Sequence, residues 1–78
     1  MNIVFARIRA FFGVISKVDA IEIARNTCIV KDLPWEEPVW VIFEVKYYKV
    51  TTNCDYKAGN VHIRIDAWSG EVLFAEIA

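Results

Sequence analysis

The chain is poor in the residues that punctuate or cross-link a small fold: its 78 residues include three glycines, two prolines, two cysteines and one histidine. With so few glycines it has no Gly-rich loop to cradle a phosphate. Its one histidine, His62, leaves a His-paired nucleophile only Cys28 or Cys54 to draw on, each brought from another element. These three residues do not follow the spacing of a compact zinc module, and the cysteines form no Cys-x-x-Cys redox pair. Two buried, reduced thiols are the expectation, since a disulfide requires an oxidising compartment. Glu36 and Glu37 are adjacent, and neighbours on an extended loop diverge, unlike the opposed carboxylates of a glycosidase. No catalytic residue, cofactor or metal site is assigned.

Excess charge is also absent. A net charge of −1 gives no field for nucleic acid, and no basic run interleaves with aromatics to make a base-stacking platform. Charge is nonetheless uneven, with Arg7, Arg9 and Lys17 preceding Asp19 while Asp32, Glu36, Glu37 and Glu44 crowd the middle. Long apolar runs are missing too. Arg7 and Arg9 interrupt the first segment, and the apolar stretch that follows is too short for a secretory core or a membrane span. A full-length chain of this kind is expected in the cytoplasm.

What is abundant is apolar surface: 56% of the residues are hydrophobic and 14% aromatic. One domain, 1–78, is expected from this length, with an amphipathic segment at 1–14 and a core at 15–78. A domain this small buries a limited share of its surface, so some apolar groups should stay exposed. They are either scattered aromatics over a tight core or a patch for self-association, a partner or a membrane.

Along the chain, Val4, Ile8, Phe11 and Ile15 recur at helical spacing, which predicts a short amphipathic helix over residues 3–12. It packs back on the domain or lies on a membrane surface. Ser16 then opens a second helix, capping the Asp19 amide, with Ile15 and Ala20 placed as a weak hydrophobic staple. Over residues 17–26 the apolar side comprises Val18, Ala20, Ile21, Ile23 and Ala24, leaving Lys17, Asp19, Glu22 and Arg25 for water. Residues 28–38 read as an ordered loop because Pro34 and Pro38 disfavour helix in the residues before them. Trp35 within it covers the core edge or meets a ligand.

After Pro38 the period becomes two. Val39, Val41, Phe43 and Val45 alternate with Trp40, Ile42, Glu44 and Lys46, and a second strand follows near residues 47–53 with no Gly or Pro to mark the turn between them. Gly59-Asn60 marks the next turn. The third strand sets Val61, Ile63 and Ile65 against His62, Arg64 and Asp66. A closing hairpin turns at Asp66-Ala67-Trp68-Ser69-Gly70-Glu71, where Asp66 can accept amides two or three residues on and Gly70 can take a left-handed conformation. With Asp66 opposite Glu71, Ile65 should face Val72 and Ile63 should face Phe74. The fold class is therefore α+β, a helical N-terminal segment and one capped helix on an antiparallel sheet of three to four strands.

Several of these motifs are familiar in combination: the helix Ile15-Ser16-Lys17-Val18-Asp19-Ala20-Ile21-Glu22-Ile23-Ala24-Arg25, the Trp35-Glu36-Glu37-Pro38 loop, and the run from Gly59-Asn60-Val61 through Asp66-Ala67-Trp68-Ser69-Gly70-Glu71-Val72-Leu73. Over about residues 15–73 the chain resembles the PepSY family, found in propeptides of thermolysin-type metallopeptidases and in membrane-associated or secreted bacterial proteins. The resemblance implies a cystatin-like layering of helix on sheet and a role in restraining peptidases or binding other proteins, with no shared catalytic residues. Exported members carry a signal or membrane anchor, and residues 1–12 read as neither.

The residues singled out for binding are aromatic or apolar. If the even positions of the first strand face away from the helix, Trp40 and Ile42 lie on the open side of the sheet, where Tyr47 can join them, and Trp68 stands at the hairpin tip. Trp40 is otherwise covered by the N-terminal segment or by Trp35, and Trp68 folds back on its turn. The expected partner is an unknown protein or a second copy of the chain, with no nucleic acid. The alternative is peripheral membrane attachment through residues 3–12.

Overall fold

A computed structural model describes residues 13–78, so the amphipathic segment expected at residues 3–12 lies outside the described residues. One helix, α1 (Lys17–Lys31), is followed by four strands: β1 (Trp40–Phe43), β2 (Tyr47–Thr51), β3 (Val61–Asp66) and β4 (Val72–Ile77). The strands pair antiparallel in sequence order, and α1 packs across one face of the sheet. The architecture is α+β, as the change of period predicts.

Helix α1 starts where the cap signal places it. Ser16 has extended backbone, its side chain accepts the Asp19 N–H at 3.2 Å, and its hydroxyl donates to the Asp19 carboxylate. Two details of the helix differ from expectation. Asp19 is buried, because it lies one turn before Ile23 on the stripe that meets the sheet, and Ser16 supplies its partner. Val18 is 69% exposed, because it precedes Ala20 by two residues, about 200° of helical rotation. The buried stripe is Ala20, Ile23, Ala24 and Cys28.

That stripe also carries the helix past Asn26, the end that the sequence pattern predicts, and adds a further turn over residues 27–31. Termination comes at Asp32, whose backbone is left-handed (φ 58°). The Asp32 N–H bonds the Ile29 carbonyl and the Leu33 N–H bonds the Cys28 carbonyl at 2.8 Å, closing the helix end as a Schellman motif without glycine. Leu33 then packs against the core.

The core lies between α1 and the sheet. Ile15, Ile23, Ala24 and Cys28 meet Tyr48, Val50, Val61, Ile63 and Ile65, while Val39, Val41, Val72 and Ala75 close its flanks. Tyr48 belongs here despite its hydroxyl, which donates to the Ile15 carbonyl at 2.8 Å. Burial, with the Asp19 charge nearby, raises the Tyr48 pKa, and burial likewise raises that of the Cys28 thiol. Cys54, expected to be buried, is only half-buried; its thiol donates to the Thr51 carbonyl because the loop after β2 keeps it at the surface.

The two hairpins differ from the sequence-based expectation in specific places. Val45 and Lys46 are not strand residues. The Glu44 N–H bonds the Tyr47 carbonyl, which leaves Val45 in a left-handed conformation (φ 66°) at the tip, and the Lys46 carbonyl accepts the Ala67 N–H at 3.0 Å. In the closing hairpin Ile65 does face Val72, but Ile63 faces Ala75 and Arg64 faces Phe74. A bulge between Arg64 and Ile65 takes up one extra residue of β4, which turns Phe74 to the other side of the sheet.

Candidate functional site

The strand alternation decides which side chains share the side of the sheet opposite α1. Because β3 buries Val61, Ile63 and Ile65 against the helix, His62, Arg64 and Asp66 must point the other way. Register extends this face across all four strands. Trp40, Thr51, His62 and Glu76 form one cross-strand row, Ile42, Lys49, Arg64 and Phe74 the next, and Tyr47 and Asp66 a third.

Three of the four residues singled out in the sequence thus come together. Trp40 is 62% exposed and Ile42 43%, and Tyr47 is half-buried beside them. Trp40 is not covered among the described residues: Trp35 packs against the core on the helix side, beneath the Arg25 guanidinium at 5.5 Å. The Trp35 indole N–H is buried without a hydrogen-bond partner among the described residues. Trp68 stands apart. It lies at the β3–β4 tip, at the far end of the sheet from the Trp40 row, and is 54% exposed, with its ring against Gly13, where an added Cβ would come within 3.3 Å of it.

Arg64 and Phe74 complete the face, and neither was singled out from sequence. The Arg64 guanidinium lies 5.4 Å from the Tyr47 ring centre and 5.5 Å from that of Phe74, so one cation bridges two aromatic faces. For Phe74 the signal was hidden by the bulge, which inverts the side that simple alternation assigns. Beside this bridge a shallow cavity of about 350 Å³ is lined by Lys49, His62, Arg64, Phe74, Glu76 and Ile77. The surface combines flat apolar rings with the cations Lys49 and Arg64 and the carboxylates Asp66 and Glu76.

The other singled-out groups serve the fold. The Asp66 carboxylate accepts the Ser69 N–H at 2.7 Å and the Trp68 N–H at 2.8 Å, and these two bonds hold its pKa below the usual carboxylate value against a small opposing effect of burial. Gly70 takes φ 78°. Asn60 is more than a turn residue: its amide donates to the carbonyls of Thr52, Asn53 and Tyr56, pinning the whole β2–β3 connection. His62 and Cys28 are on opposite sides of the sheet, which separates that pair of nucleophile and base. Among the described residues no three His, Cys, Asp or Glu side chains gather as a metal site, and no helix is long and apolar enough to cross a membrane.

No family model, curated protein or solved structure matches the chain.

Proposed function

We propose that this chain is a non-catalytic protein-binding module of the PepSY-like, cystatin-like kind, which docks a partner on the open face of its sheet. The observation that carries the reading is the exposed row of Trp40 and Ile42 alongside Arg64 held between Tyr47 and Phe74. Exposed aromatic and arginine side chains are the groups that dominate protein interfaces once desolvated. Here they sit on strands, so their positions are fixed before a partner arrives.

A peptidase is the partner class that the resemblance suggests, and restraint of a thermolysin-type metallopeptidase is its specific form. The capped helix and the Asp66–Glu71 turn support the resemblance because they form at the positions that carry it. Titrating the protein into such a peptidase, with Trp40→Ala in parallel, tests this form. Saturable inhibition by the parent protein, weakened by the variant, supports it; no inhibition removes the peptidase and leaves the docking face to be tested with partners captured from the native cell.

A further inference from the structure

We infer that a second copy of this chain pairs with the outer edge of β4, antiparallel about a two-fold axis at Ala75, to make a continuous eight-stranded sheet. This pairing does not rest on the open-face reading above, because it uses the edge of the sheet rather than its face.

Among the described residues both outer strands are edges, and β4 is the less protected. Neither strand contains a proline or a lysine, but β4 has six residues, Val-Leu-Phe-Ala-Glu-Ile, with Glu76 its one charge, whereas β1 has only four and closely follows Pro38. Leu73 and Ile77 are 52% and 49% exposed along this edge. The helix beside it leaves Val30 open, and a cleft of about 330 Å³ runs between Asn26, Thr27 and Val30 on α1 and Val72, Leu73 and Ala75 on β4. A second β4 laid along the edge would close that cleft.

Backbone direction and charge select the register. The Ala78 N–H bonds the Asn60 carbonyl and the Ala78 carbonyl accepts the Gly59 N–H, so Ala78 turns both groups toward β3. By alternation Glu76 and Phe74 do the same, while Ile77 and Ala75 turn theirs outward. An axis at Ala75 lets the two Ala75 residues exchange their outward N–H and C=O groups and brings Leu73 opposite the other copy's Ile77. It also sets Glu76 of one copy opposite Phe74 of the other. Arg64 is the inner neighbour of Phe74 and already lies over its ring. Arg64 and the opposing Glu76 are then two strand spacings apart, about 10 Å between backbones, with both long side chains on the same face. An axis at Glu76 would instead oppose two like charges. Self-pairing at one edge also closes the assembly, where β1-to-β4 pairing would grow an open filament.

The test is sedimentation of the full chain over a concentration series, with hydrogen exchange read residue by residue. The expected result is a monomer–dimer equilibrium in which the Ala75 and Ile77 amides slow as concentration rises, while the outward amides of β1, Val41 and Phe43, do not. Arg64→Glu and Glu76→Arg should each weaken the dimer by about tenfold or more on its own, since each sets like charges together twice. Mixed in equal amounts they should restore it, because every facing pair is then opposite in sign. A monomer at all concentrations, protection on Val41 and Phe43 instead, or variants that fail to complement each other would overturn the inference. Exchange in the parent protein decides the matter even if a variant fails to fold.

Discussion

The two faces of the sheet both carry large apolar side chains and put them to opposite uses. Toward α1 the strands present Val50, Val61, Ile63 and Ile65, aliphatic groups that interlock, and the Tyr48 hydroxyl beside them is bonded to Ile15. Away from α1 they present Trp40, Ile42, Tyr47 and Phe74, mostly aromatic, spaced by Lys49, His62 and Arg64. Aliphatic shape serves a dry, close-packed interior, whereas aromatic rings tolerate water at one edge and a cation over their faces. The contrast teaches that Trp40, Ile42 and Phe74 share one face of the sheet, whereas Val18, Ile29 and Val30 on α1 and Val45, Tyr56 and Trp68 at the turns are exposed singly, as on any small domain.

If the helix-side face alone holds the fold, Ile63→Ala should have the largest effect, lowering stability by about 2–5 kcal/mol in urea unfolding, because it leaves a cavity at the centre of the core. Tyr48→Phe keeps the ring but strands the Ile15 carbonyl, and a loss of about 1–2 kcal/mol by the same measurement is expected. Val45 lies at the hairpin tip between the faces and works in the other direction. A β-branched residue at φ 66° is strained, so Val45→Gly should raise the thermal midpoint, by about 1 kcal/mol of stability after glycine's own entropic cost.

On the open face the effects should be smaller. The lowered pKa of Asp66 means that its contribution is present above the unfolded-state value and is lost as pH falls through the folded one. Asp66→Asn, which keeps an acceptor for the Ser69 and Trp68 amides but not the charge, should therefore lower stability modestly near neutrality and match the parent protein in acid, flattening part of the acid limb in urea unfolding measured against pH. Trp40→Ala should be smallest, within about 0.5 kcal/mol of the parent protein, since most of the side chain is already in water.

The face that holds the fold was the more legible in sequence. Strict alternation in β3, the Ser16 cap and the Asp66 turn each rest on local chemistry between residues close in the chain, and each is found in place. Features decided by tertiary contact were not legible. The last turn of α1 forms because Cys28 continues a buried stripe, Asp19 is drawn inward by its place on that stripe, and Val45 is held left-handed by bonds that tie Lys46 to Ala67. The open face was half legible. Alternation placed Trp40 and Ile42, and Tyr47 joins them from β2, but one extra residue in β4 reversed Phe74 and so concealed the Arg64 bridge; Trp68 at the tip is 54% exposed, with its ring against Gly13.

The division between a holding face and a docking face is tested most directly by measuring partner capture and stability together on one pair of variants. The parent protein, Trp40→Ala and Ile63→Ala would be unfolded in urea, and the first two immobilised to retain partners from the native cell, which mass spectrometry then identifies. The account predicts a discrete partner that is retained by the parent and lost by Trp40→Ala, with the urea midpoint of Trp40→Ala unchanged while that of Ile63→Ala falls. Equal retention by both proteins, or a midpoint for Trp40→Ala that falls as far as that of Ile63→Ala, would contradict it.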